Sequence, residues 1–346
     1  MTDLFNKINN LLLKNTNKLP QKIAVALSGG CDSMALTFIL QEFCQKNQIE
    51  LIAITIDHQF RSNSSQEAEK VGEILRKNKI SHHIAKIPKE NLPKSNIESN
   101  LRNLRYQLLH DVCHKNNIGY LFLGHHLGDV AENFLIRLFR GSGLDGLSII
   151  NEINQYHNIF LIRPLLDFHK DDLKNYLQNK NINWFEDETN DDDKFLRNKI
   201  RNFLSQLPES NLIQTRIKRT SEDISQIRDF FDEEVAKNAK ESIKFQDNCY
   251  LIHIDNFKKI RLEIALKILA LILMEIGQKP YKPRLTKLKN FYNYIVKDAE
   301  FKRRNFYGCI LDKYNKEFLA IYYENNHKVK RLSNFEQSKI KKFLDQ

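Results

Sequence analysis

Six consecutive residues, Ser28-Gly29-Gly30-Cys31-Asp32-Ser33, follow an apolar run and open a helical pattern. Adjacent glycines allow a sharp turn whose N–H groups face outward. The hydroxyls of Ser28 and Ser33 add donors, and a helix N-terminus adds the positive end of its dipole. That combination binds a phosphate chain. The Lys-Ser/Thr ending of the common nucleotide loop is missing, so this is a different cradle. The plainer alternative is a tight strand–helix turn with a serine cap. Asp32 would repel phosphates unless a cation lay between, which makes it a candidate magnesium ligand; an ordinary acidic helix start is the alternative. Asp57-His58 ends a second apolar run and would touch a nucleoside. Gly124-His125-His126-Leu127-Gly128-Asp129 follows a third, and Asp129 and Glu132 stand three apart in the first turn of the next helix. Two carboxylates there suit a cationic substrate or a metal, although acids also favour helix starts in general. Arg102 and Arg105 share a helix face, which could simply be a solvated basic one.

These residues need a scaffold that brings loop ends together. Lys22–Leu27, Glu50–Asp57, Ser81–Ile87, Tyr120–Gly124 and Phe160–Leu166 read as strands, with helices between them near Cys31–Cys44, Ser64–Lys77, Asn96–Asn116, Asp129–Phe139 and His169–Gln178. Continuous apolar runs alternating with helices predict an α/β doubly wound parallel sheet buried on both faces. Ligands of such sheets bind beyond the carboxyl ends of the strands. An acidic stretch, Trp184–Asp193, precedes a helix over Lys194–Leu207, and the boundary is expected at Pro208–Asn211. Residues 1–210 would form the catalytic domain and 211–346 a second, mainly helical one, with helices near 212–240, 256–277 and 284–298 and strand candidates at Cys249–Ile254 and Tyr307–Tyr323.

Composition supports this division. The 346 residues are 41% hydrophobic and 28% charged, which suits two soluble domains rather than a disordered chain. Residues 1–210 hold 26 basic and 25 acidic side chains, and the remainder holds 28 and 18. A neutral front and a basic back fit chemistry followed by polyanion gripping. Lys279–Lys289 and Lys302-Arg303-Arg304 mix charge with Tyr281, Phe306 and Tyr307, which could neutralise phosphates and stack on bases. Five scattered cysteines without a CxxC pair favour a reducing cytosol and disfavour structural zinc or an iron–sulfur site. The N-terminus lacks the apolar core of a signal peptide, and Leu262–Ile276 is too short and charged to span a bilayer, so a cytoplasmic protein with no membrane association is expected.

The loop resembles SGGxDS, the pyrophosphate loop (PP-loop) of ATP pyrophosphatases with a HUP-like fold. In chain order, SGGCDS, IDHQFR, ESNLRNLRYQLL, GHHLGDVAEN, RLFRGSGLDGL, LIRPLL, EDETN and FLRNKIR are similar to the tRNA(Ile)-lysidine synthetases, over about residues 22–205. The resemblance implies a ligase using ATP and Mg2+. It would adenylate the wobble cytidine of a tRNA(Ile) with a CAU anticodon at the C2 oxygen, then let free L-lysine displace AMP. It implies that Ser28, Gly29, Gly30, Cys31, Asp32 and Ser33 hold phosphates, with Asp32 on the metal. Asp57, His58 and Gly124 to His126 would line the nucleoside. Arg102 and Arg105 would stabilise phosphate or transition-state charge, and Asp129 and Glu132 would hold lysine. Arg197 would sit near the reaction and Arg201 against RNA. Where that family has two adjacent aspartates, this chain has Gly128-Asp129. A homodimer is left open. Two alternatives remain: a PP-loop thiolase, which would need cysteine sulfur near the site, and a non-catalytic nucleotide-binding module, which would have little use for Asp32, Asp129 and Glu132.

Overall fold

The structure is a computed structural model that describes residues 2–14, 18–57, 64–87, 97–185, 196–246, 249–297 and 301–324, with Ile340 and Leu344. The apolar runs form strands β1 (Lys22–Ala26), β2 (Glu50–Asp57), β3 (Ser81–Lys86), β4 (Tyr120–Phe122), β5 (Ile153–Tyr156) and β6 (Ile159–Ile162). They assemble in the order β3-β2-β1-β4-β6-β5. β1 runs parallel to both β2 and β4, so the strand order reverses between β1 and β4. β2–β3 and β4–β6 are also parallel. β5, which the sequence did not suggest, pairs antiparallel with β6 at the sheet edge through a tight turn at His157, whose φ is +52°.

Alternation along the buried strands explains the layers. Ile23, Val25, Leu51, Ala53, Tyr120 and Phe122 face a core completed by Leu4, Ile8 and Leu12 of α1 (Thr2–Leu13), by α2 (Cys31–Asn47), and by Leu173 and Leu177 of α7 (Lys170–Asn179). Ala24, Ile52, Ile54, Leu121 and Leu161 face the other way, against Leu109, Val112 and Cys113 of α4 (Ile97–Lys115). Both faces are therefore covered, as a parallel sheet requires. α3 (Ser64–Lys77) adds Val71 and Leu75 to the first core. Behind β4 come α5 (Leu127–Phe139), the short α6 (Leu144–Leu147) and α8 (Leu196–Gln206). Ile200 and Leu204 of α8 bury themselves with Ala131 of α5.

Two compact units are present, Met1–Ser225 and Gln226–Gln346. The boundary expected at Pro208–Asn211 falls where α9 (Ser210–Ser242) begins. The first half of α9 is tied to the first unit by its serines. Ser221 Oγ donates to Leu147 O at 2.8 Å, and Ser225 Oγ accepts from Ile149 N at 2.9 Å.

The second unit contains α10 (Ile254–Lys259), α11 (Leu262–Ile276) and α12 (Leu285–Lys297). α11 is apolar nearly all round and buries Ile264, Ala265, Ile268, Leu269, Ile272 and Leu273. Beside these helices lies a sheet fuller than the two strand candidates suggested. β7 (Ile243–Gln246), β8 (Cys249–His253), β9 (Arg304–Phe306), β10 (Cys309–Lys313) and β11 (Phe318–Tyr323) form an antiparallel sheet in the order β7-β8-β11-β10-β9. No helix among the described residues is long and apolar enough to cross a membrane.

Candidate active site

β1 delivers the glycine loop to the point where the strand order reverses. The loop is closed on itself: Ser33 Oγ accepts from Ser28 N at 3.1 Å, lies 3.0 Å from Ser28 Oγ and donates to Gly30 O at 3.0 Å. Gly29 has φ +84°, and a Cβ there would lie 2.9 Å from Val71 Cγ2, so only glycine serves. Its carbonyl accepts from Phe185 N at 3.0 Å. α2 starts at Gly30 with no side-chain cap, which leaves its positive end to a ligand. Gly124, just past β4, completes the cradle. A Cβ there would meet Ser33 N at 3.1 Å and the Asp32 carbonyl at 3.2 Å, so the β4 end presses against the start of α2.

Asp32 sits in this crevice. Its Oδ1 is buried with no hydrogen-bond partner, and its Oδ2 is 3.6 Å from His126 Nε2. A buried carboxylate oxygen without a partner is costly unless something binds it. Among the described residues, no three His, Cys, Asp or Glu groups converge on a metal position. The donor set therefore fits a cation that takes one carboxylate and draws its other ligands from phosphates and water, as magnesium does. Asp57, at the end of β2, is 2% exposed, and its carbonyl accepts from Ile87 N at 3.0 Å. His58 and the acidic run 186–193 lie outside the described residues.

The segment after β4 gives each polar side chain a distinct partner. His125 Nδ1 accepts from Arg163 Nε at 3.2 Å. Burial pushes the His125 imidazole down to about 4, against the pull of Asp129 and with smaller help from Arg163, Arg102 and Arg105. The ring is therefore neutral at neutral pH. His126 caps α5: its Nδ1 accepts from Gly128 N at 2.9 Å, and its own N–H donates to Asp129 Oδ2 at 3.0 Å. Burial alone would raise the Asp129 carboxyl, but His126, His125 and that backbone N–H together hold it below the usual range.

Glu132 corrects the expectation of two open carboxylates facing one way. It is 4% exposed, and Arg201 donates to it from Nε at 2.8 Å and from Nη2 at 3.3 Å. Arg197 Nε lies 3.1 Å away, an ion contact without hydrogen-bond alignment. Both arginines come from α8. Glu132 is thus a tether holding that helix, whereas the Asp129 side chain is 17% exposed. Burial would lower the Arg201 guanidinium, but Glu132, with Asp129 and Asp32 behind it, holds it above its ordinary range.

A third cluster is cationic. The guanidinium carbons of Arg102 and Arg105 lie 5.3 and 5.5 Å from the Tyr106 ring centre. Burial would raise the Tyr106 phenol, yet Arg102, Arg105 and Arg163 together hold it below its ordinary range. Arg163, in the LIRPLL motif, was not among the expected site residues. It is 6% exposed, and besides His125 it donates from Nη1 to Asn151 O at 3.0 Å and to Asn154 Oδ1 at 2.7 Å. Those partners are neutral, so none of them offsets its charge. An arginine interrupting an apolar strand run was the available signal.

Residues 2–207 match the PP-loop domain family. A tRNA(Ile)-lysidine synthase of Orientia tsutsugamushi (strain Boryong) is 32% identical over 312 residues, covering 88% of this chain and 70% of its own length. That of Rickettsia akari (strain Hartford) is 35% identical over 324 residues, covering 93% and 73%. The chain belongs to the tRNA(Ile)-lysidine synthase family. It is accordingly an ATP-using ligase of the PP-loop class. Its fold is also similar to that of the U34-tRNA thiolase from Methanococcus maripaludis, solved with its [4Fe-4S] cluster. That match has a TM-score of 0.53 at 20% identity and covers 64% of this chain and 78% of that one, a likeness of fold alone. Three buried cysteines of this lysidine synthase family member are unsuited to sulfur transfer, because burial pushes the thiols of Cys44, Cys113 and Cys309 up to about 12.

In the second unit, the basic segments expected to grip RNA are exposed at Lys279, Lys282, Arg284, Lys287, Lys302, Arg303 and Arg304. Tyr281 is 77% exposed. Phe306 is instead engaged: its ring stacks on Phe291 with centres 4.7 Å apart, so it is not offered to a base.

Proposed function

We propose that this protein ligates free L-lysine to C2 of the wobble cytidine in a tRNA(Ile) with a CAU anticodon, forming lysidine and releasing AMP and pyrophosphate. The observation carrying the proposal is the meeting, at one strand reversal, of the glycine loop with Asp32 and the Gly124–Glu132 segment that anchors α8. In the first half-reaction, the cytidine C2 oxygen attacks the α-phosphorus of ATP and pyrophosphate leaves. Ser28, Gly29, Gly30, Cys31 and Ser33 would hold the leaving group through backbone N–H groups and hydroxyls. Asp32 would hold magnesium, which screens phosphate charge when bound. Arg105, with Arg102 and Arg163 beside it, would balance charge on the α-phosphate, and Arg197, braced by Glu132, would close the same side.

In the second half-reaction, the lysine amino group attacks C2, AMP departs with its electron pair, and the nitrogen loses a proton. Asp129 would bind an ammonium group of lysine. Asp57, His58, Gly124 and His125 would line the nucleoside, with His125 neutral and its remaining N–H on Nε2 available as a donor. The basic second unit would grip tRNA phosphates. A cytoplasmic location follows from these substrates.

The test is AMP release from ATP by the full chain, with L-lysine and the tRNA each omitted or replaced in turn. AMP formation that needs this tRNA, with lysine attached in equal amount, supports the ligase. AMP formation without lysine attachment overturns the assignment of the acceptor.

A further inference from the structure

Gly128, the second residue of α5, has no room for a side chain. A Cβ there would lie 2.6 Å from Cε1 and 3.1 Å from Nδ1 of His126. The imidazole occupies that space because its Nδ1 accepts the Gly128 N–H at 2.9 Å, and Asp129 returns a bond to the His126 N–H at 3.0 Å. The ring is 7% exposed and capped at both ends of the turn. An Nδ1 that accepts carries no proton, so the neutral ring bears its proton on Nε2. That nitrogen lies 3.6 Å from Asp32 Oδ2 and 3.8 Å from Asp129 Oδ2. The other Asp32 oxygen, Oδ1, has no partner.

We infer that His126 is a positioning residue for Asp32, seated there because residue 128 has no side chain. The imidazole Nε2 faces one carboxylate oxygen at 3.6 Å, an electrostatic contact rather than a hydrogen bond, and leaves Oδ1 turned to the ligand. Folding back over the first turn of α5, the ring also places the positive end of its N–H between two carboxylates that would otherwise repel each other, 3.6 and 3.8 Å from their oxygens. The inference rests on the proposed role of Asp32 as a metal ligand. A side chain at 128 would expel the ring, and Asp32 would lose its orientation while the strand–loop–helix scaffold stayed intact.

Two substitutions separate this role from capping. His126→Asn retains a good helix cap but is too short to reach Asp32. Gly128→Ala should favour a helix by propensity, so a lowered melting temperature in that variant reports the displaced ring. The first measurement, made on the free protein, is long-range nitrogen–proton NMR of the histidine rings. Wild type shows His126 with its proton on Nε2, and Gly128→Ala loses that signature. An unchanged His126 spectrum in Gly128→Ala overturns the inference. The second is manganese–ATP binding, read by the paramagnetic resonance of free manganese. His126→Asn weakens binding about fivefold or more at unchanged melting temperature, Gly128→Ala weakens it by a similar factor, and the double variant binds no worse than either alone because both act through one ring. Binding unchanged in His126→Asn, or losses that add, overturns it. Asp32→Asn distinguishes the two failures. If it weakens manganese–ATP binding and His126→Asn does not, only the positioning role falls. If neither weakens it, the ligand role of Asp32 fails and the inference falls with it.

Discussion

Replacing Glu132 by glutamine keeps the shape of the side chain and removes its charge, leaving Arg197 and Arg201 without the carboxylate that holds them. Deleting one partner of a fully buried ion pair costs about 3–5 kcal/mol. Here the carboxylate is buried at 5% side-chain exposure, but the arginines are 33% and 34% exposed and would regain water. Exposed pairs are worth about 0.2–1 kcal/mol each, so the expected loss lies between the limits, at about 2 kcal/mol. For a unit of this size that corresponds to a fall in melting temperature of about 4–8 °C. Trp184, the sole tryptophan, packs against the core of the first unit, and its fluorescence follows that unit's unfolding in the full chain. Further replacement of Arg201 by methionine should recover part of the loss, because it removes one stranded cation. A fall of less than about 0.5 kcal/mol in Glu132→Gln, the range of ordinary surface changes, would refute the tether. AMP release should fall at least about tenfold in the same variant, a loss of roughly 1.4 kcal/mol in transition-state stabilisation, since Arg197 loses its brace.

Three other outcomes follow from the same geometry. Arg163→Lys keeps a charge but loses the fork that bonds His125, Asn151 and Asn154 together. AMP release should drop about tenfold or more, and an unchanged rate would remove Arg163 from the site. The His125 imidazole titrates at about 4 when folded, below its ordinary 6.5, so the unfolded chain takes up the proton first. Its contribution to stability is present above about pH 6.5 and is lost as pH falls toward 4. Urea midpoints between pH 7.5 and 4.5 should show a shallower decline in His125→Asn, and an identical slope would contradict the burial argument. Affinity for tRNA should fall steeply with salt, and Lys282→Ala with Arg284→Ala should reduce the logarithmic salt slope by about one per lost phosphate contact. A salt-independent affinity would exclude phosphate gripping.

The strand–turn–helix at Ser28–Ser33 was legible because glycine, serine and an apolar strand each dictate local geometry. The parallel sheet was legible for the same reason: runs such as Glu50–Asp57 have no polar face to expose. Glu132 misled because spacing along α5 pairs it with Asp129, whereas its partners sit on α8, about seventy residues further along a chain folded by tertiary contacts. Arg163 was hidden in a strand motif whose apolar neighbours set the expectation. β5 was missed because INQY is a short, half-polar edge strand without a strong alternating pattern. The second unit's sheet was only partly visible, since β7 and β9 are four and three residues long and gain their stability from partners distant in sequence. Gly128 stood out as a departure, but its relation to His126 needed the ring's position.

The most direct test is mass analysis of the wobble nucleoside after tRNA(Ile) with a CAU anticodon is incubated with the full chain, ATP, magnesium and isotopically labelled L-lysine. The account predicts that the label appears on that one cytidine, in amounts matching the AMP released, and vanishes when ATP or lysine is omitted. A wobble cytidine left unmodified while ATP is converted to AMP would contradict the proposed ligation.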